Sequence, residues 1–195
     1  MHVLNMCGNR LPGYRSRHDA CHKDIFVDAV SKHLPYLSAH KVDVVQGDGS
    51  TLRPDSVLFF ERKPIPNSPR TEKVVMIVDF KCPYPTEGFI RRTHEANVAK
   101  YAGIATWYRE QGYRVTTETV IIPSVGPNLK HAFDTLRRIG FTVKEVNKML
   151  LLMSASVAKA NHATLAPTLP SLRNASENPP PPIPGVGLVV GEEEG

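Results

Sequence analysis

Nothing in this 195-residue chain approaches the run of about 18 unbroken apolar residues that a membrane-spanning helix needs. Cysteine is scarce: Cys7, Cys21 and Cys82, an odd number spread widely, give no disulfide framework. The opening stretch MHVLNMCGNRLPGYRSRHD carries charge where a signal peptide would carry its apolar core. These absences point away from a secreted or membrane-spanning protein and leave little weight for Asn174-Ala175-Ser176 as a glycosylation acceptor. Tryptophan occurs once and internal repeats are absent. What is present is ordinary for a folded soluble domain: 41% hydrophobic residues, 22% charged residues and a mean hydropathy of −0.24. At this length one domain with a tail is expected, large enough to bury a core without metal or disulfides.

Charge is unevenly placed. The formal net charge is +5, but residues 166–195 hold one arginine and four glutamates, so residues 1–165 carry +8. A basic folded part with an acidic end leans toward a polyanionic partner. From Ala166 onward come seven prolines, a PPPP run and a closing GEEEG, which read as a disordered, partly polyproline tail. Such a tail could meet an SH3-like partner, although a plain disordered terminus is the simpler reading.

Periodicity predicts a helix over Asp19–Leu34, with Asp19 capping it and Pro35 ending it. Short strands are expected at Lys41–Val45 and Val57–Glu61, separated by a turn at 47–50, and a proline-rich loop at 63–70 follows. The five-residue apolar run Val74–Val78 suits a central strand buried on both faces. A long helix is expected over Glu87–Gln111, burying Phe89, Ile90, Ala96, Val98, Tyr101, Ala102, Ile104, Ala105 and Tyr108, with Trp107 also assigned to the core. A strand over Arg114–Ile122 and helices over Leu129–Ile139 and Val143–Ala163 complete the order α-β-β-β-α-β-α-α. The fold class is therefore α/β (or α+β), a mixed sheet flanked by helices.

Carboxylates and lysines fall at strand ends. Arg53-Pro54-Asp55 precedes the Val57–Glu61 strand. Asp79 ends the Val74–Val78 strand, and Lys81, two residues on, projects from the same face. Two carboxylates with a nearby ammonium suit Mg²⁺, a hard cation that takes oxygen ligands and keeps several waters. Such an ion acidifies water and neutralises charge on a phosphodiester. The opposing reading of the same residues is Asp55 as a turn residue and Asp79 and Lys81 as a solvated strand end. Cys7, His18, Cys21 and His22 fit no common zinc spacing, so zinc is not expected. Cys82 has no histidine at a recognisable spacing and is no candidate nucleophile. Arg91 and Arg92, and Arg137 and Arg138, are either backbone-phosphate contacts or solvated helix faces.

Several of these residues, taken in order, resemble a family. The run His2-x4-Cys7, then Arg17-His18-Asp19, Arg53-Pro54-Asp55, Ile77-Val78-Asp79, Lys100-Tyr101 and the stretch Asp134–Gly140 is similar to the restriction-enzyme-like endonuclease domain of site-specific non-LTR retrotransposons, over roughly residues 2–165. The resemblance implies a PD-(D/E)xK nuclease with an α-β-β-β-α-β core and two C-terminal helices. It would nick double-stranded DNA so that the 3′-hydroxyl primes reverse transcription. By position, Asp55 and Asp79 would be carboxylates for Mg²⁺, with Mn²⁺ the alternative. Lys81 or Lys100 would be the catalytic lysine. Arg17, His18, Asp19 and Tyr101 would support the site, Arg53, Arg91 and Arg92 would contact the DNA backbone, and Glu87 and Glu95 stand near.

Residues 1–18 would be a partial zinc-knuckle remnant and entry segment, 19–165 the nuclease domain and 166–195 the tail. Retrotransposon RNA or a parent reverse transcriptase are further partners implied, and the substrate implies the nucleus. The chain departs from the family in its 23 residues between Asp55 and Asp79, in lacking the first two zinc cysteines and in having no reverse transcriptase domain. It thus resembles the detached end of a larger element protein. The alternative is a decayed module that binds DNA without cutting it.

Overall fold

The computed structural model describes residues 11–34, 37–40, 44–45, 51–62, 71–125 and 128–165. The chain divides into two units, Met1–Thr164 and Leu165–Gly195. His2 and Cys7, the turn at 47–50, the loop at 63–70, the tail from 166 and Asn174 lie outside the described residues.

The first helical stretch begins earlier than its pattern suggests. It runs as α1 (Leu11–Asp19), a π-helical segment (Ala20–Val27) and α2 (Asp28–His33). Asp19 has helical torsions (φ −63°, ψ −40°) and caps nothing with its side chain. The expected N-cap is thus corrected: no break separates residue 18 from residue 19. Wider i→i+5 winding shifts the phase of Cys21, His22 and Phe26, which are all buried.

Strands β1 (Ser38–His40), β2 (Val44–Val45) and β3 (Thr51–Leu52) are short; the expected strand over Lys41–Val45 is present only in its last two residues among those described. The three long strands are β4 (Ser56–Arg62), β5 (Glu72–Lys81) and β6 (Arg114–Ile121). The sheet order is β1-β4-β5-β6, antiparallel except for the parallel β5–β6 pair, and β2–β3 forms a separate two-stranded sheet. The sheet is therefore mixed, as the pattern implied.

The parallel pair is joined by α3 (Phe89–Lys100) and α4 (Ala102–Glu110), and α5 (Lys130–Ile139) and α6 (Val143–Leu165) follow β6. Gly88, at φ +65°, opens α3 in the left-handed region that glycine tolerates best. Thr142 and Glu145 begin α6 with reciprocal bonds, Thr142 N–H to Glu145 Oε2 at 2.7 Å and Glu145 N–H to Thr142 Oγ1 at 3.3 Å.

Strand β5 is buried from Val74 to Phe80 because helices cover both faces. Met76, Val78 and Phe80 face a core built with Phe26, Val30, Leu136 and Met153. Val75 and Ile77 face a smaller core with Tyr101, Ile104, Ala105 and Tyr108. That second core corrects the stripe expected on the long helix. Ala96, Val98 and Ala102 are exposed, and the buried line runs Asn97, Tyr101, Ile104, Ala105, Tyr108. Trp107 falls off this line and is 51% exposed, its ring edge-on to Tyr108. Among the described residues no helix is long and apolar enough to cross a membrane.

Candidate active site

The antiparallel β4–β5 register sets Ser56 opposite Val78, so Asp55 and Asp79, one residue further along, reach the same end of the sheet. The bond from Phe80 N–H to Asp55 Oδ2, at 2.6 Å, fastens the two strand ends together. Asp79 lies on the α3–α4 side of β5, the face opposite to Phe80, and is only 1% exposed. Its Oδ1 accepts from the Tyr101 hydroxyl at 2.5 Å, and its Oδ2 accepts from Asn97 Nδ2 at 3.0 Å and from the Lys81 ammonium. Burial alone would push Lys81 down, but the Asp79 carboxylate beside it holds the lysine above its ordinary value. Burial, reinforced by Asp79, pushes the Tyr101 phenol up, so it stays a hydrogen-bond donor.

Asp55 is tied from the other side by α1. His18 Nε2 lies 2.9 Å from Asp55 Oδ2, and His18 Nδ1 lies 3.3 Å from Asp19 Oδ1. Both ring nitrogens face acceptors, and the bond to Asp55 raises the imidazole above its usual value despite burial. Burial pushes Asp55 up, but the bonds from His18 and from Phe80 N–H outweigh it and leave the carboxyl below the usual range. Asp19 also holds Lys23 at 2.8 Å. Tyr14, one helical turn before His18, has its phenol pushed up chiefly by burial, against the opposing pull of Lys81.

Of the residues singled out from the sequence, Asp79, Lys81 and Tyr101 form one bonded group and Asp55, His18 and Asp19 a second, and the Phe80 N–H bond to Asp55 joins the two strand ends that carry them. Lys100 joins the first group at its edge: its Nζ donates to the Tyr101 hydroxyl at 2.8 Å. Arg53 contributes its carbonyl oxygen, 3.5 Å from that hydroxyl, while its side chain is exposed. Arg17 does not join: it is buried, with its guanidinium on Asn161 Oδ1 at 3.0 Å. Arg91 and Arg92 are exposed on the first turn of α3, and Arg92 bonds Thr86 Oγ1 at 3.0 Å. Arg138 is engaged by Glu118 at 2.7 Å and Arg137 by the Phe141 carbonyl. Glu87 and Glu95 are exposed. Cys82 is buried beside Cys21.

Asn97 and Thr119, which bond around Asp79, were not among the residues singled out from the sequence. For Asn97 a signal existed: it stands four residues before Tyr101, so both side chains share one helix face.

Among the described residues no group of three or more His, Cys, Asp or Glu side chains converges to hold a metal ion. Asp55 and Asp79 could hold Mg²⁺ only as two carboxylates completed by water and phosphate oxygens, a donor set that ion accepts. Asp55 Oδ1 has no hydrogen-bond partner among the described residues, and the Lys81 ammonium on Asp79 marks that position as one that attracts positive charge. No family model matches the chain, and no curated protein matches it significantly.

The histidine behind this cluster yields a pH prediction. His22 is buried, with Nε2 2.8 Å from Ser56 Oγ, and burial pushes it below its ordinary value against the opposing pull of Asp55. Between its ordinary value of about 6.5 and its native value, the unfolded chain binds more protons than the native one. The stability His22 contributes is therefore complete above pH ~6.5 and falls on acidification. His22→Gln, which can keep a bond to Ser56, should remove that dependence. Urea unfolding at pH 7.5 and 5.5 should show wild type losing more than the variant, by at most about 1.4 kcal/mol per pH unit. A constant difference would exclude the effect.

Proposed function

We propose that this chain is a Mg²⁺-dependent DNA endonuclease of the restriction-enzyme-like kind carried by site-specific non-LTR retrotransposons, nicking double-stranded DNA. The observation that carries the reading is that Asp55, Asp79 and Lys81 stand at one end of the β4–β5 pair, with His18 bonded to the first carboxylate and Tyr101 to the second. The α-β-β-β-α-β order implied by the family is compatible with a mixed sheet whose parallel pair is crossed by α3 and α4.

Asp55 and Asp79 would hold the ion. When bound it would acidify water and neutralise charge on the phosphodiester. Lys81 is favoured over Lys100 as the catalytic lysine, because its ammonium already stands on the Asp79 carboxylate while Lys100 reaches only the Tyr101 hydroxyl. There it orients the attacking water or compensates phosphate charge. Tyr101 and Asn97 fix the Asp79 carboxylate, and His18 fixes that of Asp55. Water attacks phosphorus, the P–O bond to the 3′ oxygen breaks, and the free 3′-hydroxyl is available as a primer.

A second reading, a module that binds DNA without cutting it, draws on a specific observation: both oxygens of Asp79 are already engaged. A plasmid assay separates the two. Supercoiled DNA should be converted to the open circle with Mg²⁺ or Mn²⁺ and left intact once the metal is chelated. Salt-sensitive binding with no metal-dependent nicking establishes the second reading instead.

A further inference from the structure

The segments leaving the carboxyl ends of β5 and β6 enclose a groove of about 630 Å³ whose lining includes Thr86, Glu87, Arg91, His94, Asn128 and His131. Parallel strands in α/β folds present such crevices at their carboxyl ends, and this volume lies within the usual range for ligand sites. The groove is wired to the candidate active site through one buried residue. Thr119 pairs with Asp79 in the parallel β5–β6 register and is fully buried. Asn97 Nδ2 bridges the two residues, at 3.0 Å from Asp79 Oδ2 and 3.2 Å from Thr119 Oγ1. On the other side, His94 Nδ1 lies 3.1 Å from Thr119 Oγ1 and His131 Nε2 lies 3.0 Å from the Thr119 carbonyl. The two imidazoles meet edge-on with centroids 5.8 Å apart.

The partners constrain the protons. A carbonyl only accepts, so the hydrogen of His131 sits on Nε2. Thr119 Oγ1 accepts from Asn97 and has one hydrogen to give; given to His94 Nδ1, it leaves an N–H on His94 Nε2. With Nδ1 engaged by Thr119, Nε2 is the ring nitrogen left for the groove that His94 lines. Beside it, the Arg91 guanidinium is exposed and has no partner among the described residues. A guanidinium, an imidazole N–H and the Asn128 amide stand against one carboxylate, Glu87. That set suits a phosphodiester, since each is a donor a phosphate oxygen can accept from.

We propose that this groove seats the backbone of the DNA strand as it leaves the Asp55–Asp79–Lys81 cluster, with Arg91 and His94 as its phosphate contacts. The proposal rests on the nuclease reading for the identity of its occupant. The Asn97–Thr119 link then holds the strand and the Asp79 carboxylate in one frame, so a phosphate bound by His94 is registered against the site of cleavage.

The test measures binding of a fluorescent DNA duplex by the full chain in chelator, across a salt series, with plasmid nicking measured in parallel in Mg²⁺. Arg91→Ala, an exposed change, should weaken binding and reduce the slope of log affinity against log salt by about 1. Arg91→Ala combined with His94→Gln should weaken binding about tenfold. Arg109→Ala, an exposed arginine of α4 outside the groove, should leave affinity near wild type. Thermal unfolding confirms that each variant is folded. If wild type binds or nicks while both groove variants match Arg109→Ala in affinity and slope, the groove proposal is overturned and the nuclease reading stands. Binding that depends on Arg91 without any nicking keeps the groove and removes the nuclease. A wild-type chain that does not bind DNA removes both.

Discussion

Asp79→Ala should reduce Mg²⁺-dependent plasmid nicking by at least about 100-fold, the upper range for losing a group that merely supports a metal ligand, since in the proposed nuclease Asp79 is a ligand itself. The same change leaves the Lys81 ammonium half-buried and the Asn97 amide short of an acceptor, at a cost in stability of about 1–3 kcal/mol. A loss of nicking could then be blamed on unfolding, so a second substitution is needed. Asp55→Asn serves, because an amide oxygen can still accept from Phe80 N–H and hold the strand ends together. Both variants should lose nicking, and Asp55→Asn should keep the wild-type unfolding midpoint to within a few degrees and bind DNA in chelator as wild type does. Nicking by Asp55→Asn within tenfold of wild type would remove the shared-cation account, whatever Asp79→Ala does.

Much of this arrangement was legible in the sequence because it depends on strand ends. Asp55 just before an apolar run, and Asp79 and Lys81 at the end of another, come to the same end of the sheet once the two runs pair antiparallel with Ser56 opposite Val78. Strand β5 was legible because its apolar run is continuous, the signature of a strand covered on both faces. The long helix was misread because its buried line contains a polar residue. Ala96, Val98 and Ala102 offered a plausible apolar stripe, but Asn97 occupies the inward position, where it is satisfied by Asp79 and Thr119. Periodicity of apolar residues cannot find an inward asparagine whose partners lie on two different strands. Trp107 was misassigned although its neighbours Tyr101, Ile104, Ala105 and Tyr108 are buried as expected, because position 107 lies off the face those four share. The start of the first helix was missed because Pro12, Gly13 and Asp19 look like an entry turn. Arg17 and Asn161, 144 positions apart, are paired across the fold, and no local pattern carries that distance.

Phe26→Ala should cost about 3–5 kcal/mol, the usual range for truncating a fully buried phenylalanine. The position concentrates several packing relations. The Phe26 ring lies 5.0 Å from that of Phe80 on β5, 6.1 Å from that of Phe141 just before α6, and 6.2 Å from His22 one turn earlier. It thus joins the N-terminal helix, the central strand and the C-terminal helices in a single cluster, and alanine would leave a cavity that three separate elements would have to close. Against a total stability of about 5–15 kcal/mol the loss is large, visible as a marked drop in the urea midpoint with little change in slope. Val27→Ala, on the next residue and 39% exposed, should stay within about 0.5 kcal/mol of wild type and serves as the control. A Phe26→Ala cost below about 1 kcal/mol would contradict the packing described here, since such a value fits a surface site. Phe26 touches neither aspartate, so nicking by the variant should follow its folded fraction and recover on cooling or with a stabilising osmolyte, whereas Asp55→Asn should recover under neither condition.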